Sequence, residues 1–331
     1  PQPEEPDANP GDRYKTFLGL CSHEYFHSWN VKRIKPAVFM PYDLRAETHT
    51  SLLWAFEGIT SYYDDLLLAR AGLISSRSYL ELLAQQITRH LRTPGRFCQS
   101  VSEASLDAWS KYYRQDENSP NALVSYYVKG ALVALCLDLL LRQRTDDQVS
   151  LDTLMQRLWQ EFGQTGTGVQ EGDIPRLAAE LCGDSLEDFW QNALQGTQEL
   201  PLEELLSARG VKWTLRAAES ATDAGGKPAT DGAVKPSLGI KIQSAEGGAQ
   251  LQVVFNDGTA GKAGLSAGDV VVAVEGLRVN GTTLEKVIAS RRPGEVLDVH
   301  AFRRDELMQF RVTVGQAPLD TCVLQLPDDS E

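Results

Sequence analysis

The chain has 331 residues, 42% of them hydrophobic, with 32 basic against 45 acidic side chains and a formal charge of −13. That length suits two or three domains, each able to fill a core. The acidic balance, with no broad basic stripe, argues against a nucleic-acid partner, and no apolar run reaches the eighteen or so residues of a membrane span, so no membrane partner is expected.

Residues 1–13, Pro1 to Arg13, form a Pro/Glu/Asp-rich lead. Tyr14–Asn30 then reads as a helix, with Phe17, Leu18, Cys21, Tyr25 and Phe26 as apolar positions and no Gly or Pro after Gly19. Within it stands His23-Glu24-Tyr25-Phe26-His27. Four helical residues turn through about 400°, so both imidazoles project from one face and can reach a single Zn²⁺. Glu24, rotated away from them, is badly placed to be a ligand and well placed to hold the water that a metal site activates. That is the machinery of a peptide-bond hydrolase. The basic stretch Lys32-Arg33-Ile34-Lys35 follows the helix, where cations suit the dipole.

A catalytic zinc needs a third protein ligand. Glu57 lies in Leu52-Leu53-Trp54-Ala55-Phe56-Glu57-Gly58-Ile59, where a lone buried carboxylate is costly unless paired or metal-bound. Gly58 beside it permits close approach of another backbone. Asp64, Asp65 and Glu47 are open choices for the carboxylate that orients an imidazole, but each reads first as a surface charge.

Further along, Ser76–Leu91 has Leu80, Leu83, Ala84 and Ile87 in helical register, stopped by Pro94-Gly95. Asn121–Arg142 reads as one long apolar helix at the centre of the domain. Leu151–Phe162, Asp173–Leu181 and Ser185–Leu194 are shorter helices, the last opening on a capping-box-like Ser185-Leu-Glu-Asp188. Gly163-Gln-Thr-Gly-Thr-Gly168 follows a helix and lacks the Lys-Ser/Thr of a phosphate loop, so it is not a nucleotide site. Ala217–Lys235, rich in Ala, Gly, Asp, Thr and Pro, reads as a flexible linker or a long hairpin loop. Beyond it the hydrophobic period becomes two: Leu251–Phe255, Asp269–Val274, Leu297–Phe302 and Gln309–Val314 are strands, with a short helix at Thr282–Ser290. The five cysteines are scattered with no C-x-x-C pair, which favours reduced, mostly buried thiols; Cys21 is expected in the core.

The blocks His23 to Pro36 and Leu53 to Tyr63 together resemble the glycyl aminopeptidase family of zinc metallopeptidases, family sixty-one of the peptidase classification. The resemblance implies a multidomain α+β chain: a mainly helical, thermolysin-like (gluzincin) catalytic domain, then a small β-rich PDZ domain. It implies one Zn²⁺ held by His23, His27 and Glu57, with Glu24 as general base, and cleavage after small N-terminal residues, Gly and Ala. Of the two tyrosines in Ser125-Tyr126-Tyr127-Val128-Lys129-Gly130, the Tyr-x-Lys-Gly spacing of related zinc aminopeptidases selects Tyr127 as the phenol that stabilises the oxyanion. Gly264-Leu-Ser-Ala-Gly-Asp269 before a valine-rich strand resembles PDZ domains of the protease-associated type, which makes Leu238, Gly239 and Ile240 the loop that captures a peptide's C-terminal carboxylate.

The expected organisation is a lead at 1–13, a catalytic domain at 14–207, a strand and flexible linker at 208–236, a PDZ domain at 237–316 and a tail at 317–331. The partners are a peptide or protein substrate and a C-terminal peptide at the PDZ domain. Relatives carry a β-rich N-terminal domain ahead of the zinc helix, and this chain is expected to be the C-terminal portion of such a protein. The thiols lean towards a cytoplasmic location; a periplasmic one stays open. A catalytically inert body carrying a PDZ peptide-binding module, or a PDZ-assisted endopeptidase, are the alternative readings.

Overall fold

A computed structural model describes residues 11–230, 232 and 234–327. The switch of hydrophobic period marks the division: helices first, then a β-rich unit, each around its own apolar cluster. This is the expected α+β architecture. Residues 1–10 of the lead and 328–331 of the tail lie outside the described residues.

In the helical body α1 spans Asp12–Phe26, starting before the expected boundary and ending four residues short of Asn30. His27 is its C-cap, and its N–H still donates to the His23 carbonyl at 3.1 Å. The chain then turns sharply through Val31, whose φ of 120° is a region that β-branched residues rarely take. Lys15 and Gly19 form the buried side of α1, whereas Phe17, Leu20, Cys21 and Tyr25 are exposed. Cys21 is therefore not a core residue: the close approach of α2 at Gly19 leaves it on the solvent side. Cys98 is also exposed and Cys182 is half-buried, so only Cys136 and Cys322 are buried thiols.

Trp54–Gly58 is a π-helical turn leading into α2, Ile59–Arg70. Helix α3 covers Ser76–Leu91 as expected, with the Ser75 hydroxyl capping the Ser78 N–H. After α4, Val101–Leu106, the expected single helix from Asn121 is two: α5, Ser119–Ala122, and α6, Tyr126–Arg144. The break at 123–125 lets Ser125 cap the new helix through the Val128 N–H. Residues Ser119–Arg144 have the length and apolarity of a membrane span, contrary to the expectation from single apolar runs; most of them are buried as the core helix of the body. Around α6 pack α7, Leu151–Leu158, and α8, Asp173–Cys182; α9, Glu187–Trp190, sets the Trp190 ring 6.1 Å from that of Trp54, and α10, Leu202–Ser207, packs on α6 again. Ser185 forms no capping box, because Leu186 takes a left-handed conformation at the N-cap.

The segment β1, Lys212–Arg216, pairs with β10, Thr321–Gln325, so the expected tail is a strand that returns to the helical body. It lies on α3, where the Cys322 N–H donates to Thr88 Oγ1 at 2.9 Å. The expected flexible linker is likewise pinned. Arg216 grips the Asp223 carboxylate, and the Gly226 N–H donates to the Cys322 carbonyl at 2.9 Å. Gly225 and Gly226 pass so close to Thr88 and Glu81 that no side chain fits between them.

The β-rich unit comprises β2, Pro236–Ser237; β3, Ile240–Ala245; β4, Gly248–Val254; α11, Thr259–Lys262; β5, Val270–Val274; β6, Leu277–Arg278; α12, Gly281–Ala289; β7, Val296–Arg303; β8, Glu306–Thr313; and β9, Gly315–Gln316. Strands β3-β4-β5-β7-β8 form an antiparallel sheet, with β6 paired to β5 and β2 to β9. Helix α12 packs on β3 and β4 and closes the core with Leu284 and Ile288.

Candidate metal centre

Helix α1 and the π turn cross so that three side chains distant in sequence converge. His23 Nε2 and His27 Nε2 each lie 3.3 Å from the same oxygen, Oε2 of Glu57. The donor atoms of the three residues all fall within 4.8 Å of one another. Each imidazole is tied by its other nitrogen: His23 Nδ1 to the Asp64 carboxylate at 3.1 Å, His27 Nδ1 to the Asn30 carbonyl at 2.8 Å. Both Nδ1 atoms are placed as N–H donors, so that giving up the Nε2 protons to a metal would turn both Nε2 lone pairs to one point.

Two backbone devices set this convergence. In a π turn the i→i+5 bonding adds a residue to the turn and re-aims what it carries; Glu57 sits inside it. Gly58, next in sequence, meets Gly130 of α6 with no room for a Cβ on either side: one built on Gly58 would lie 2.5 Å from the Gly130 Cα. Asn30 ties the arrangement together. Buried to 3% exposure, it donates from Nδ2 to the Ala55 carbonyl at 3.1 Å and to Thr60 Oγ1 at 3.2 Å, while its own carbonyl holds His27. It thus links one histidine to the turn carrying Glu57. Its place in the sequence carries no trace of partners 25 and 30 residues away.

Of the three carboxylates open as imidazole partners, Asp64 takes the role. Asp65 points instead to Gly19 of α1, and Glu47 pairs with exposed His49. The electrostatics are those of a cation site. Burial disfavours charge on His23, but the hydrogen bonds and charges of Asp64 and Glu57 outweigh it and push the imidazole up to about 10. His27 is raised by its bond to Glu57 despite burial. Burial would lift Glu57, yet the two imidazoles hold it below the usual carboxylate range. Two imidazoles and two carboxylates thus create a field that favours added positive charge. Neutral imidazole nitrogens plus a carboxylate oxygen are the donor set of a three-ligand zinc site, so the residues fit that metal.

Glu24 is exposed on α1 directly after His23. Tyr127, half-buried in the first turn of α6, has its ring 6.4 Å from that of His23, whereas Tyr126 is 1% exposed and packs into the core. Of the tyrosine pair, Tyr127 is the one beside the cluster. In the β-rich unit, Leu238 points into the core at 3% exposure, so its side chain lines no groove. Gly239 has a φ of 71°, and its N–H donates to Ser237 Oγ at 3.0 Å; Ile240 begins β3. The loop geometry expected for carboxylate capture thus has one of its N–H groups engaged by Ser237. His90 and His300 lie on α3 and β7, outside the cluster.

Residues 16–133 match the family model described as M61 glycyl aminopeptidase, and residues 236–314 match the PDZ domain model. A crystal structure of an aminopeptidase N family protein from Idiomarina loihiensis is similar to 97% of this chain, at 40% identity and a TM-score of 0.90. This chain spans 55% of that one. A probable periplasmic serine endoprotease of the DegP-like type from Brucella suis is 34% identical over 88 residues, which is 26% of this chain and 17% of that relative. The chain carries an M61 glycyl aminopeptidase segment followed by a C-terminal PDZ domain.

Proposed function

We propose, for a chain that carries an M61 glycyl aminopeptidase segment and a PDZ domain, that it is a zinc-dependent aminopeptidase acting after small N-terminal residues, glycine first and alanine next. The observation that carries this is the meeting of two imidazole Nε2 atoms at 3.3 Å from one Glu57 oxygen, each ring anchored from behind. His23, His27 and Glu57 would hold the ion, and Asp64 and the Asn30 carbonyl keep both rings in the tautomer that ligation needs. A bound Zn²⁺ supplies Lewis acidity, lowering the pKa of a water and polarising the scissile carbonyl.

The protein's own groups do the rest. Glu24 takes a proton from the attacking water and delivers it to the leaving amine. The Tyr127 phenol donates to the carbonyl oxygen as negative charge develops on it, an interaction stronger in the transition state than in the ground state. The preference for glycine is supported by the description of the matching family. The PDZ domain recruits peptides along the β3 edge beside α12, with the Ser237–Ile240 loop at the peptide's carboxyl end.

Glu24→Gln tests the reading. Zinc content should stay at one ion per chain while hydrolysis of a glycyl chromogenic anilide falls by about three orders of magnitude or more. Turnover at the parental rate in that variant would remove Glu24 from the mechanism.

A further inference from the structure

Beside the metal cluster three phenols form a row that the mechanism above uses only at one end. Tyr126, 1% exposed, donates its hydroxyl proton to Tyr113 Oη at 3.3 Å. Tyr113 Oη lies 3.2 Å from Tyr127 Oη. A phenol carries one proton and two acceptor lone pairs. Tyr113 can therefore accept from Tyr126 and donate to Tyr127 at the same time. In that arrangement the Tyr127 oxygen accepts and its single proton is free for the substrate.

Resting on the reading of Tyr127 as oxyanion donor, we propose that Tyr113 is a positioning residue for catalysis: its hydroxyl fixes the rotor of the Tyr127 phenol so that this proton faces the developing oxyanion. The surroundings suit that task. Tyr113 lies in the short turn Tyr112–Arg114, and its side chain is 62% exposed although it is large and partly apolar. Its ring meets Tyr112 edge-on at 5.5 Å and Trp109 at 6.4 Å. Tyr112 in turn packs on Tyr127 at 5.9 Å and holds the helix-capping Ser125 hydroxyl at 3.2 Å. Tyr126 and Tyr127 stack at 4.6 Å. These ring contacts place the Tyr127 phenol, and the Tyr113 hydroxyl is the neighbour that can set the direction of its O–H. Donors in series also polarise one another, strengthening the terminal donor.

The test uses the full chain loaded with zinc and the variants Tyr113→Phe, Tyr127→Phe and their double, each checked for an unchanged melting temperature. Two readouts are taken: kcat and KM on a glycyl anilide, and calorimetric affinity for a glycyl phosphinic peptide, whose tetrahedral anionic phosphinyl group copies the charged intermediate. Tyr127→Phe should cost about 10²-fold in kcat. Tyr113→Phe should cost about 5–20-fold in kcat, with KM within about twofold and phosphinate affinity lowered by a similar factor. The double variant should match Tyr127→Phe alone, since a positioning group has nothing left to position. If Tyr127→Phe impairs both readouts while Tyr113→Phe leaves them unchanged, or if the two losses multiply, the positioning role is refuted. If Tyr127→Phe keeps parental kcat and affinity, the oxyanion reading itself falls and the positioning role with it. Should the chain turn over no anilide, the phosphinate affinities alone decide between these outcomes.

Discussion

Replacing Gly130 by alanine puts two effects of opposite sign against each other. Gly130 is inside α6, where alanine is worth about 1 kcal/mol more than glycine by helix propensity, so secondary structure alone predicts a more stable protein. Packing predicts the reverse. A Cβ on Gly130 would lie 2.8 Å from the Trp54 carbonyl oxygen and 3.0 Å from the Gly58 Cα, and both obstacles are backbone. Restoring ordinary contact at about 3.5–4.0 Å requires the π turn and α6 to part by about 1 Å. Overpacking of that kind costs about 1–3 kcal/mol, which exceeds the propensity gain at all but its lower edge. Glu57 is adjacent to Gly58 and moves with the turn, whereas metal sites tolerate about 0.2 Å. Gly130→Ala should therefore be destabilised in urea titration and should bind zinc at least about tenfold more weakly in a chelator competition. Gly172→Ala is the control, because nothing lies within 4 Å of its added methyl group. A Gly130→Ala protein as stable as the parent, with parental zinc affinity, would show that the glycine contact does not position Glu57.

Asp64→Asn keeps the shape of the group behind His23 but removes its charge; zinc affinity should fall by about 10–100-fold with little change in melting temperature. Asn121, 4% exposed, accepts from the Asn256 N–H at 3.1 Å and donates to the Val254 carbonyl at 2.9 Å. Asn121→Leu should cost about 2–4 kcal/mol and speed amide exchange at the β4–α11 turn, an effect absent if the β-rich unit docks without it. His90 is held neutral, down to about 3, by burial first and then by Arg96 and Lys129. Its folded pKa is below the unfolded value of about 6.5, so its contribution is complete above that pH and is lost as pH falls towards 3. Between pH 7.5 and 5 the parent should lose about 2 kcal/mol relative to His90→Leu; parallel stability curves would refute this.

Local chemistry was legible where the code is short-range. The His-Glu-x-x-His spacing brings His23 and His27 to one face of α1, and the apolar surroundings of Glu57 mark it as a carboxylate that needs a partner. Ser76–Leu91 and the strands around Leu251, Val271, Val299 and Phe310 follow their hydrophobic period because each buries one face. What escaped depends on contacts that periodicity does not encode. A π turn inserts one residue where a 3.6-residue pattern expects none. The break between α5 and α6 lies in Leu123-Val124-Ser125, residues that a helix would accept, and it exists because Asn121 is held by the β-rich unit and Ser125 by Tyr112. The pairing of β1 with β10 joins residues more than a hundred apart, and the pinned linker follows from it.

The same long-range contacts bear on how the two units work together. The Gly239 carbonyl accepts from the Phe255 N–H at 2.9 Å, and Gly258 meets Gly239 backbone to backbone. One residue beyond Phe255, Asn256 bonds Asn121, which lies four residues before the Ser125 cap and six before Tyr127. At the opposite edge, β10 returns from the β-rich unit to Thr88 of α3. A domain fastened by a buried side chain at one end and a strand ladder at the other is not a tethered accessory. Its loop and the tyrosine row share one packed framework, so a substitution at Asn121 acts on both, whereas lengthening residues 217–230 strains the α3 contacts before it frees the domain.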